Sequence, residues 1–172
     1  FYDRDLVDKV VEQIGVDRDL VKKADAGSNV LYSFETQYGP RYANLTNRVI
    51  YNQFEVIQKF AEKSSCVIIG RSADYILKDS KDIKLLRAFI YAPDEIRILN
   101  IMKSHSLSES DAKILLLEKD KRYHKRHLAL TGSNRGDRHN RDILINSAFL
   151  GVEGTAEYLE ELIQKKYGSG EE

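Results

Sequence analysis

Cys66-Val67-Ile68-Ile69-Gly70-Arg71-Ser72-Ala73-Asp74 decides the fold class, because a β-favouring apolar run ends there in a glycine turn and a helix start. A run apolar on both faces suits a strand buried between helix layers. Leu85 to Ala92 reads as a second such strand, broken by Pro93, and Asp142-Ile143-Leu144-Ile145-Asn146 as a third. Helical patterns separate them. Leu45–Lys63 carries the stripe Val49, Ile50, Phe54, Ile57, Phe60 and Ala61. Asp94–Ser104 follows the second strand, Ser108 with Asp111 forms a capping box for another helix, and Val152–Tyr167 closes the chain. Strands alternating with helices, without hairpin signals, predict a parallel sheet with helices on both faces, a three-layer αβα sandwich.

Towards the start, Asp3–Ile14 has apolar residues at helical spacing and closes at Gly15. A short helix over Arg18–Ala24 and a long connection over Ala24–Asn44 follow. Asp3-Arg4 read as the end of a strand whose earlier part is missing, so the chain reads as opening in mid-domain.

In an open parallel sheet, ligands bind beyond the carboxyl ends of the strands. At the first such end, Gly70 lets the backbone approach a ligand, and Arg71 and Asp74 could divide phosphate from base or sugar. The alternative is a routine turn with Ser72 or Asp74 as helix N-cap. At the second end, Pro93 and its acidic neighbours start a helix, and Arg97 is a weaker candidate for the cleft. At the third, Asn146-Ser147 reads as a cap.

The other candidate chemistry is Glu118-Lys119-Asp120-Lys121-Arg122-Tyr123-His124-Lys125-Arg126. Lys119, Arg122 and Arg126 lie at helical offsets of three and four, on one arc of a helix. Guanidinium forks match phosphate oxygens. The stretch runs into Thr131-Gly132-Ser133-Asn134-Arg135-Gly136-Asp137-Arg138, a polar loop expected to move. Either this is a cationic arm suited to phosphoryl transfer, or it is a solvated helix end complementing the helix dipole.

Composition narrows the field. The 172 residues fit a single domain with a proper core. Net charge is zero, and the basic region Lys119–Arg141 lacks interleaved aromatics, which argues against nucleic acid as partner. No apolar run approaches the ~20 residues of a membrane span. One cysteine, Cys66, excludes an internal disulfide and fits a reducing cytoplasm; it reads as a buried structural thiol. His124, His127 and His139 sit among cations, which disfavours a metal site and suggests surface roles.

Together these pieces resemble the cytidylate kinase-like branch of the nucleoside monophosphate kinases. The segments carrying the resemblance are Phe1–Leu6, Ala61–Leu77, Phe89–Pro93, Asp120-Lys121-Arg122 with Arg126, and Leu150-Gly151-Val152-Glu153-Gly154. The resemblance implies a P-loop kinase-like α/β fold in one domain over residues 1–172, with an arginine-bearing helical lid at about 119–141. It implies phosphoryl transfer from ATP, with Mg²⁺, to a nucleoside monophosphate, CMP or dCMP foremost. Arg71 and Asp74 are assigned to the acceptor, Asp3 to its nucleoside, and Arg48 and Gln53 to further acceptor contacts. Arg122 and Arg126 match the lid arginines that contact the transferring phosphate; Lys119 stands where cytidylate kinases carry arginine, and Tyr123 where they carry aspartate. No metal-ligating residue is assigned in the chain itself. The family's strand, glycine-rich phosphate loop and helix would precede Phe1, and no G-x-x-x-x-G-K-[ST] occurs in the sequence. A non-catalytic nucleotide- or phosphate-binding module is therefore the alternative. The helix Leu45–Lys63 also offers a surface for a homo-oligomer.

Overall fold

Helix α1, Pro40–Lys63, begins at a proline, the residue best suited to a first helical position because its missing N–H has no intrahelical use. The sequence places this start five residues later, at Leu45. A computed structural model of the chain describes residues 8, 9, 11, 12, 15 and 40–168, without the side chains of 40–48. Residues 8, 9, 11 and 12 are helical, and Gly15 closes that turn with φ 60° and an N–H donated to the Val11 carbonyl, as the sequence predicts. The expected Arg18–Ala24 helix and most of the following connection lie outside the described residues.

The chain divides into two compact units: residues up to Leu85 with Arg122–Ser133, and Leu86–Lys121 with residues from Asn134 onward. In the first unit, Val49, Val56 and Ile57 of α1 pack with Ala73 and Leu77 in a small core, completed by Phe60, Ile68, Ile76, Ile83 and Leu85. Val49, Gln53, Val56 and Phe60 follow one another at three- and four-residue steps, with Ile57 beside them, so the amide of Gln53 lies within the apolar stripe. Helix α2, Ala73–Ile76, is a single turn.

The expected strand Cys66–Ile69 is a correction. Of its four residues only Ile68 makes a bridge and packs on the core, while Val67 and Ile69 are exposed. An apolar run declares β-propensity; whether both its faces are covered is settled by neighbours distant in sequence. Cys66 is half-buried, and that burial pushes its thiol up from the usual range, which keeps it protonated and unreactive at neutral pH.

In the second unit, β1 (Ala88–Tyr91) and β2 (Ile143–Asn146) pair in parallel, with Phe89 opposite Leu144 and Ile90 opposite Ile145. Both strands are shorter than the sequence suggests. Arg87 and Asp142 instead form a two-pronged ion pair: Nε and Nη2 donate to the carboxylate at 3.2 and 2.9 Å, and the Arg87 N–H donates to it at 2.7 Å. The expectation of strands buried on both faces also needs correction, since Ile90 and Leu144 are exposed. Among the described residues this two-stranded sheet is the only one, so the shown architecture is helix-rich α/β with a small parallel sheet.

Helix α3, Asp94–His105, follows Pro93. Helix α4, Glu109–Thr131, begins as its capping box predicts: Ser108 Oγ accepts from the Asp111 N–H and donates to its carboxylate. Helix α5, Ser147–Tyr167, is capped by the Asn146 side chain, which accepts from the Ala148 N–H at 3.0 Å. Gly151 kinks it at φ 73°, ψ −179°, so regular helix resumes at Val152, where the sequence starts it. Among the described residues no helix is long and apolar enough to cross a membrane.

Candidate functional site

The turn Gly70-Arg71-Ser72 has three successive residues in the left-handed region, at φ 72°, 58° and 53°. Glycine takes this conformation freely, whereas Arg71 and Ser72 are strained in it. Ser72 stands just before α2, where an N-cap serine would bond the helix N–H groups, yet it makes no side-chain cap bond. Its hydroxyl lies 3.2 Å from Nδ1 of His127 on α4, and both residues are buried. Of the two N-cap alternatives the sequence leaves open, Ser72 therefore does not act as one through its side chain.

His127 is a correction. A surface role was expected; the ring is 6% exposed. A signal was available, since His127 lies eleven residues beyond the buried Leu116, which at 100° per residue places it about 20° from the same helix face.

Beside His127 and within the same unit, Arg126 donates through Nη2 to Gln53 Oε1 at 2.9 Å. Gln53 is 2% exposed. Burial lowers the Arg126 guanidinium to about 10, so it remains charged at neutral pH but in surroundings that disfavour the charge. Arg122, one turn earlier, lies 5.4 Å from the centroid of the Tyr123 ring. Its Nε is buried without a hydrogen-bond partner among the described residues, a donor that an added acceptor could satisfy.

Among the other sequence-predicted residues, Asp74 falls in the first turn of α2 and Arg71 directly precedes Ser72; both are half-buried. Lys119 is half-buried on α4, within the part assigned to the second unit. Asp3 and the side chain of Arg48 lie outside the described residues. The structure thus brings Gln53 against Arg126, and sets the neighbours of Arg71 and Arg126 in contact through Ser72 and His127.

The second unit carries its own cationic cluster. Arg97 forks onto Asp120 with two bonds of 2.7 Å and also reaches Asp94, while Arg135 approaches Asp120 at 3.6 Å. Arg97, a weaker cleft candidate, is thus engaged by carboxylates. The Arg97 guanidinium holds the Asp120 carboxyl below its usual range. Arg135 and Arg141 also lie over the Phe89 ring, at 5.8 and 5.9 Å from its centroid. Arg141 donates to the Arg135 and Asn140 carbonyls, and Asp137 accepts from the His139 N–H, so residues 134–141 form a heavily bonded loop. Among the described residues no group of three or more His, Cys, Asp or Glu is arranged to hold a metal ion.

The model of the cytidylate kinase-like family matches residues 1–148. A cytidylate kinase of Thermococcus sibiricus is 25% identical over 135 residues, 78% of this chain and 66% of that protein. A cytidylate kinase of Thermococcus kodakarensis is 29% identical over 111 residues, 64% of this chain and 55% of that protein. The aligned part therefore spans about two-thirds and about half of the length of these relatives. An uncharacterized protein from Eubacterium ventriosum shares the fold, with a TM-score of 0.57 at 22% identity over 91% of this chain and 90% of that one.

Proposed function

Because the chain belongs to the cytidylate kinase-like family, we propose that the protein transfers the γ-phosphoryl group of ATP to a nucleoside monophosphate, with CMP or dCMP foremost. The reading includes a three-layer P-loop kinase-like domain whose lid spans about 119–141. The observation that carries it is Arg126, a guanidinium drawn into a site that disfavours its charge, beside the buried amide of Gln53.

The acceptor is already a phosphate anion at neutral pH, so no strong general base is needed. One acceptor oxygen attacks the γ-phosphorus of ATP while the bond to the leaving β-phosphate oxygen breaks. Arg122 and Arg126 then neutralise charge on the transferring group, and their half-buried setting strengthens that interaction relative to water. Arg71 and Asp74 hold the acceptor, with Gln53 ordering Arg126 beside it. Lys119 supplies a further positive charge one turn before Arg122. Mg²⁺ would arrive on the ATP phosphates, bound mainly through phosphate oxygens and water.

The test is phosphoryl transfer by the full-length protein from ATP to each nucleoside monophosphate in turn. Turnover with a cytidine monophosphate and at most weak turnover with the others is the expected result. Nucleotide binding without transfer would make the protein a non-catalytic binding module and overturn the kinase reading.

A further inference from the structure

We propose that the Ser72–His127 hydrogen bond is a positioning contact, which sets Arg71 in register with Arg122 and Arg126 for phosphoryl transfer; this rests on the kinase reading above. Ser72 Oγ and His127 Nδ1 lie 3.2 Å apart and 55 residues apart in sequence. Ser72 is 9% exposed and His127 6%. Whichever group donates, the bond satisfies a buried hydroxyl that would otherwise lose its partners to burial.

The local geometry gives this bond a role beyond satisfaction. Arg71 and Ser72 occupy left-handed backbone in succession, a conformation that persists in such residues only where the surroundings over-determine it. Ser72 forgoes the cap bond its position offers and turns its hydroxyl to α4. The strained turn is thereby tied to the helix carrying the other two arginines. Arg71 lies one residue from one end of the bond, and Arg126 one residue from the other. Releasing the bond frees the turn to relax and shifts the acceptor's arginine relative to the transferring phosphate. A misplacement of about 1 Å is enough to cost ~100-fold in rate.

Substitution can separate positioning from simple support. Ser72→Gly removes the hydroxyl but accepts left-handed backbone more readily, so it relieves strain while breaking the bond. His127→Leu removes the ring nitrogens at similar bulk. His127→Asn restores a polar group near the place of Nδ1. In the full-length protein with ATP and CMP, Ser72→Gly should keep a thermal midpoint close to that of the original protein. Its kcat should fall by roughly ten- to a hundredfold, with KM for ATP unchanged. His127→Leu should fall likewise, the double variant should be no worse than the poorer single one, and His127→Asn should recover most of the rate.

Ser72→Gly and His127→Leu turning over at the original rate would overturn the proposal and leave the kinase reading standing. Rate losses that merely follow losses of thermal midpoint would overturn it too, by showing structural support alone. An original protein without transfer to any nucleoside monophosphate would remove the kinase reading and the proposal together. If His127→Leu does not fold, Ser72→Gly and His127→Asn decide the matter between them.

Discussion

Nη2 of Arg126 donates to Oε1 of Gln53 across 2.9 Å, joining two residues 73 positions apart in the chain. The amide lies in the apolar stripe of α1, and the guanidinium is lowered to about 10 by its burial. A cation kept in such surroundings gains more from an incoming anion than a solvated one does. The stability and the activity of this pair should therefore respond differently to substitution.

Arg126→Met keeps much of the side-chain length and removes the charge. Met no longer buries a charge but leaves the buried Gln53 carbonyl without this donor, so unfolding free energy should fall by about 1–3 kcal/mol. Turnover should fall by roughly 10²–10³, the usual effect of removing one preorganised donor from a developing charge. Denaturant titration and initial rates on the same preparation check both halves.

Gln53→Leu removes an acceptor from that guanidinium and leaves the charge in place. Stability should drop by about 1–3 kcal/mol. The pair Gln53→Leu with Arg126→Met should recover much of the loss, because the guanidinium that lost this acceptor is then gone as well. Equilibrium unfolding of the three variants forms a double-mutant cycle, and a non-additive sum is the expected outcome.

Acid should loosen the second unit through Asp120. Its carboxyl titrates below the ordinary 3.8 because Arg97, and more weakly Arg135, favour its ionised form. A lowered folded value means the unfolded chain binds the proton first as pH falls. The stabilisation is therefore complete above about 3.8 and is lost as pH drops through the lower folded value. With side chains about a third exposed, solvent screening limits the pair to about 1 kcal/mol. Asp120→Asn should be less stable at neutral pH, and its acid-unfolding curve should be shallower below pH 4.

Gly151→Ala should cost roughly 1–3 kcal/mol, since φ 73° with ψ −179° is a backbone region essentially reserved for glycine. A Cβ there would meet open space, so the cost comes from the backbone alone. Thermal unfolding of the variant measures it, and Gly151→Val should be worse through its β-branching rather than through a clash.

Elements were legible wherever their cause lies within a few residues. Ser108 with Asp111 and Asn146 before α5 follow from short-range bonds between neighbours in sequence, and the restart of helix at Val152 from the positive-φ backbone of Gly151 just before it. The start of α1 was misread because Pro40 opens the helix before its apolar periodicity begins. The role of Ser72, one of two alternatives for an N-cap, was not legible for the opposite reason. Its position favours a cap, and a histidine 55 residues away takes the hydroxyl instead.

The sequence by itself determined the order of the long helices and of the two paired strands, the family resemblance, and which cations were available at Arg71, Arg122 and Arg126. Only the tertiary structure decided what those residues and their neighbours meet: Gln53 for Arg126, His127 for Ser72, and two carboxylates for Arg97. Caps and periodicity act within about four residues and can be read along the chain. Burial and the partner of a buried polar group depend on which distant segments pack together, so the same arginine reads alike in a solvated helix and in a site until the fold surrounds it.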